Sequence, residues 1–101
     1  MVDMNVTEIL SQFIVDTKYE NLPAPVVDAA KIGILDGVAN MVAGSVQGLA
    51  DIIGNYVKDL GGTPQSTVVG WNFKTHPTNA AFANGIFGHC LDYEIQGFPP
   101  T

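Results

Sequence analysis

The segment from Pro23 to Gly44 constrains this chain more than any other. Val27, Ala30, Ile34, Val38, Met41 and Val42 recur at helical spacing, while Ile32, Leu35 and Ala39 put apolar groups on its other sides. A helix apolar nearly all round belongs inside a larger body or between several partners. Pro23 or Pro25 suits its first turn, and the pattern stops near Gly44. Composition points the same way. The 101 residues are 47% hydrophobic and 14% charged, against roughly 25% charged in a typical soluble domain. There is room for one domain, 1–101, in which folding hides roughly two-thirds of the unfolded surface. So little charge cannot cover a small sphere. Part of this surface is therefore expected to face the rest of a larger protein or a partner subunit.

Helices are expected on both sides of this segment. Asn5 followed by Glu8 resembles a capping box, after which Val6, Ile9, Leu10, Phe13 and Ile14 form one stripe. Lys18 to Asn21 ends that helix. A third helix carries Leu49, Ile52, Ile53, Tyr56, Val57 and Leu60, closed by Gly61-Gly62. Ser66 to Gly70 has strand character but no second strand to pair with, and Trp71 to Pro77 reads as an irregular connection. The last helix is expected from a cap at Thr78 or Asn79 to about Tyr93. Its small residues Ala81, Gly85 and Gly88 share a face that lets another backbone approach. Glycine inside a helix costs roughly 1 kcal/mol relative to alanine, so two of them call for such a reason. The tail Gln96 to Thr101 cannot continue the helix. The fold class is all-α, with about four helices.

Charge and cysteine content exclude several functions. Ten acidic residues face Lys18, Lys31, Lys58 and Lys74, with no arginine, for a net charge of −6. Nucleic-acid surfaces need clustered basic groups, so no nucleic-acid partner is expected. An anionic substrate would have to find its cationic contacts elsewhere. The single Cys90 forms no internal disulfide, and no zinc or iron–sulfur site is expected. Residues 1–10 lack the basic start and apolar core of a secretion signal. No apolar run approaches the roughly 20 residues of a membrane span, so no membrane is expected and the cytoplasm is the expected location. Gly61-Gly62 has no Gly-Lys-Ser/Thr after it and is no phosphate loop.

Chemistry is best sought between Asn79 and Glu94. On a helix, His89 and Asp92 would be neighbours on one surface, with Gly85 hollowing the face one turn earlier. A carboxylate beside an imidazole with open space next to it can move protons. Spacing alone favours the plainer reading, a structural hydrogen bond at a helix end. His76 reads as a solvated loop histidine and Cys90 as an inert thiol without a basic neighbour. Trp71 and Phe73 suit either a pocket lining or hydrophobic packing.

Ala83-Asn84-Gly85, His89 and Leu91-Asp92-Tyr93 together resemble the MmgE/PrpD signature, broadly A-x-x-N-G-x-x-x-H-x-L-D-[FY]-D-D. Lys18 to Pro23 is similar to the family's opening Y-x-x-L-P, and Val26 to Lys31 to its V-x-x-A-K. Leu35-Asp36 and Ala43-Gly44-Ser45 follow in the family's order. The resemblance implies the N-terminal part of a helical domain, with the relatives' α+β lid domain outside this chain. It implies homodimeric enzymes that need no metal or organic cofactor and act on small di- or tricarboxylates. Reactions in the family include dehydration of 2-methylcitrate, decarboxylation of cis-aconitate and an epimerisation, each moving a proton beside a carboxylate-bearing carbon. Asp92 matches an active-site aspartate of the motif, and His89 the motif histidine, whose role is less defined.

Two departures stand out. Glu94-Ile95 replaces the usual Asp-Asp, which bears on the substrate. Relatives also carry His-Pro shortly after the motif, whereas here Pro99-Pro100-Thr101 is last. The expectation is thus a catalytically incomplete N-terminal segment of a lyase of the 2-methylcitrate dehydratase type. The alternative is a non-catalytic helical interaction module, a truncated paralogue that associates through its apolar faces.

Overall fold

A computed structural model describes residues 5–93. Its elements are α1 (Val6–Asp16), a 3₁₀ turn (Tyr19–Asn21), α2 (Ala24–Gly44), α3 (Gly48–Leu60), strands β1 (Ser66–Thr67) and β2 (Lys74–Thr75), and α4 (Pro77–His89). The mainly helical class is as expected. The chain divides into two compact units, residues 1–31 and 32–101.

In the first unit, the capping box forms as the sequence indicates. The Glu8 amide donates to Asn5 Oδ1 at 3.0 Å, and the Asn5 amide donates to Glu8 Oε2 at 3.1 Å. These satisfy two donors that a bare helix end would leave orphaned. Thr17 ends α1, its amide and its hydroxyl both donating to the Phe13 carbonyl. Lys18 Nζ donates to the Val15 carbonyl beside it. The Pro23 carbonyl then accepts from Val26 and Val27, opening α2 one residue after the proline. No residue of α1 is buried, and Phe13 is 64% and Ile14 72% exposed. Lys31 and Asp28 lie 3.6 Å apart with both side chains exposed. Such a pair adds little to stability.

The second unit holds the core. Ala50, Val57, Val68, Ala80, Ala83 and Phe87 are buried together, with Ile53, Trp71 and Phe73 packed against them. Helix α3 packs on α4 and buries only a narrow strip of its own, Ala50, Gly54 and Val57, rather than its whole apolar stripe. Ile52, Tyr56 and Leu60 stay exposed. The cause is residue size: small groups at 50, 54, 80 and 83 let neighbours come close. A Cβ added at Gly54 would overlap the Trp71 indole, and one added at Gly44 would overlap the Phe87 carbonyl. Gly61, at φ 63°, closes α3 as the glycine pair suggests.

Three expectations need correction. Ser66–Thr67 does have a partner: it pairs antiparallel with Lys74–Thr75, Ser66 opposite Thr75 and Thr67 opposite Lys74. Two residues per strand leave no alternation to detect, so the partner was hidden inside an apparently irregular connection. Helix α4 is capped by His76 rather than Thr78 or Asn79, with Pro77 in the first turn. It also ends at His89, short of Tyr93. Gln96 to Thr101 lie outside the described residues. Among the described residues, no helix is long and apolar enough to cross a membrane.

Candidate functional site

The end of α4 brings the sequence-predicted residues to one turn, in a geometry different from the expected helix face. Cys90 caps α4 and still has helical backbone angles. Asp92 has φ 56°, the left-handed region that non-glycine residues seldom enter. Aspartate enters it more readily than most, because its short polar side chain bonds locally. The Asp92 amide donates to the His89 carbonyl at 2.8 Å, closing the turn. His89 and Asp92 are therefore joined through a backbone turn rather than side by side on a helix. Both side chains are exposed. The face one turn before His89 is open as expected: a Cβ added at Gly85 would meet nothing within 4 Å.

This turn is held against the C-terminal half of α2. Asn40 Nδ2 donates to the Tyr93 carbonyl at 3.1 Å and contacts Asp36 Oδ2 at 3.3 Å. Cys90 is half-buried, its Sγ 3.3 Å from the Phe87 carbonyl and 3.8 Å from the Gly44 carbonyl. A Cβ added at Gly88 would come 3.3 Å from Met41 Cγ. Close approach to α2 thus runs through Gly44 and Gly88, while Ala81 and Gly85, expected on the same packed face, are exposed.

The start and middle of α4 are also anchored. His76 Nδ1 accepts from the Thr78 amide at 3.3 Å, making this histidine a helix cap rather than a free loop residue. Thr75 Oγ1 donates to the Gly61 carbonyl, which Asn79 Nδ2 also reaches at 3.3 Å. Asn84 uses both ends of its amide. Its Oδ1 accepts from the Val69 amide at 2.8 Å, and its Nδ2 donates to the Thr67 carbonyl at 3.0 Å. Trp71 and Phe73 form an edge-on pair with centroids 6.2 Å apart and pack on the core, which favours the packing reading. Trp71 Nε1 donates to the Ser45 carbonyl at 3.3 Å.

Asn40, Asp36 and the clamp made by Asn84 were not identified as functional or positioning residues from the sequence. Asp36 and Asn40 lie within the family-like stretch 35–40 and Asn84 within the motif quoted above, but none was assigned a role. Two open clefts are lined by residues other than those of the α4 turn. One is lined by Tyr19, Leu22, Val27 and Lys31 among others, and the second by Tyr56, Leu60, Thr78, Asn79 and Phe82. Among the described residues, no three His, Cys, Asp or Glu side chains gather as a metal-binding group.

Comparison with known proteins places these features in context. The model of the MmgE/PrpD N-terminal domain matches residues 8–94. A cis-aconitate decarboxylase-like protein of Aspergillus oryzae is 31% identical over 90 residues, covering 89% of this chain. The chain spans only 19% of that relative's length. No solved structure gives a significant match.

Proposed function

The chain belongs to the MmgE/PrpD family, and from that premise we propose that it forms one wall of a cofactor-free lyase site for a small di- or tricarboxylate. The observation that carries this reading is the Asp92 turn. A motif aspartate stands exposed in an uncommon backbone conformation three residues past His89, and the α4 face at Gly85, one turn before His89, is open. Proteins retain such conformations where the surrounding structure holds them, and they cluster at functional sites.

The proposed reaction is dehydration. A base removes a proton from the carbon beside a carboxylate, an electron pair forms the double bond, and hydroxide leaves with a proton as water. Asp92 serves as acid, base or positioning group, with His89 three residues before it in the chain. The charge balance of −6 means that the cationic contacts for the substrate carboxylates come from outside this segment. The exposed stripe of α1 then serves to pack on a longer chain or a second copy.

Decarboxylation is the second reading, favoured by the name of the Aspergillus relative. In that case the carboxylate leaves as carbon dioxide, and the electron pair left on carbon takes up a proton. Assays of the natively expressed protein on 2-methylcitrate and cis-aconitate separate the two. Replacing the proton-transfer group, Asp92→Asn, is expected to lower kcat by on the order of 10²- to 10⁴-fold. The 101-residue chain alone is expected to give no turnover. Substantial turnover by that chain would contradict the division of labour proposed here, and undiminished activity of Asp92→Asn would remove Asp92 from the mechanism.

A further inference from the structure

We infer that Asn40 is a positioning residue for Asp92, a role that rests on the reading of Asp92 as the acid–base group. The argument starts from the backbone. Once α4 has ended, a chain that turns into the left-handed region is not held by helix hydrogen bonds. The Asp92 amide is engaged with the His89 carbonyl on one side of the turn. On the other side the carbonyl of Tyr93 accepts from Asn40 Nδ2 across 53 residues of sequence. Asp92 therefore sits between two fixed points, one on α4 and one on α2.

Asn40 is itself oriented. Its amide nitrogen lies 3.3 Å from Asp36 Oδ2, one turn earlier on α2. A carboxylate accepts and cannot donate, so it fixes which end of the Asn40 amide faces it. The same NH₂ carries two hydrogens, and the second is available to the Tyr93 carbonyl. Asp36 thus sets the direction of Asn40, Asn40 holds the Tyr93 carbonyl, and that bond holds the turn in which Asp92 has φ 56°. Neither Asp36 nor Asn40 needs to touch substrate for this. Alanine at 40 removes the donor, and aspartate at 40 keeps the shape while offering the Tyr93 carbonyl a second acceptor.

Two readouts test the role, one of them independent of turnover. In the full 101-residue chain, the intraresidue amide-to-Hα NOE of Asp92 is strong when its φ is positive. Asn40→Ala and Asn40→Asp are expected to weaken it while leaving the core methyl resonances of Val57 and Val68 in place. In the natively expressed protein, both variants are expected to lower kcat on 2-methylcitrate or cis-aconitate by on the order of tenfold to a hundredfold, with KM changed less than about twofold. A general loss of folded protein would lower the amount of active enzyme and disturb the core resonances, which separates it from mispositioning. An unchanged Asp92 NOE, or unchanged kcat in both variants, overturns the inference. If Asp92→Asn is inactive while Asn40→Ala is fully active, the positioning role fails and the reading of Asp92 stands. If Asp92→Asn is itself fully active, that reading fails and the role of Asn40 falls with it.

Discussion

Helices α1 and α3 carry similar amphipathic patterns and meet opposite fates. In α1, Val6, Ile9, Leu10, Phe13 and Ile14 line one face and none is buried. In α3, Ala50, Gly54 and Val57 are buried. Apolar periodicity tells which face of a helix is suited to a cover, but not whether that cover lies in the same chain. What sets α3 apart is small residues one turn apart, which let the Trp71 ring and α4 approach. The stripe of α1 has no residue smaller than valine, so it offers bulk without a groove. Eleven residues is also below the roughly 12–15 that an isolated helix needs to hold itself in water.

The contrast can be broken or sharpened by substitution. Among the described residues Phe87 is the largest fully enclosed side chain, so Phe87→Ala should have the greatest effect. It is expected to cost about 3–5 kcal/mol in urea unfolding followed by Trp71 fluorescence. A cost under about 1 kcal/mol would mean that the core is no better packed than α1. Asn84→Ala comes next, since it strands the part-buried Val69 amide and leaves the exposed Thr67 carbonyl to water. About 1–3 kcal/mol is expected, together with faster hydrogen exchange at Val69. Unchanged exchange there would show that the clamp carries no stability. The smallest effect is assigned to Phe13→Ser on the bare stripe, within about 0.5 kcal/mol by the same melt. A larger loss would show that α1 is covered within this chain after all.

Much of the fold was legible in local signals. The Asn5–Glu8 box, the proline entry to α2 and the Gly61 closure of α3 are all decided by neighbours three or four residues apart. Features set by distant residues were not. The hairpin rests on two pairs of residues, the Asn84 clamp spans 15 and 17 positions, and the bond from Asn40 spans 53. The end of α4 misled for a different reason. The i to i+3 spacing of His89 and Asp92 is the same in a helix and in the turn observed, and only the sign of φ at Asp92 separates them. Motif reading pointed to the end of α4, whereas helical geometry misjudged how His89 and Asp92 are presented there.

The double bond of Asn84 to the hairpin also sets a bearing. A helix can slip by one residue at little cost to its own hydrogen bonds, but each slip turns it by about 100° and shifts it by about 1.5 Å. With both ends of the Asn84 amide taken, α4 behaves as a keyed shaft that cannot turn without shearing the key. His89 stands five residues on, about 7.5 Å along the axis and about 140° round it. The heading at which the chain leaves α4 for Asp92 is therefore indexed by a two-strand hairpin that comes earlier in the sequence and contributes no chemistry of its own. A residue inserted or removed between Thr67 and Lys74 would accordingly register as a misalignment of the acid at the far end of the helix.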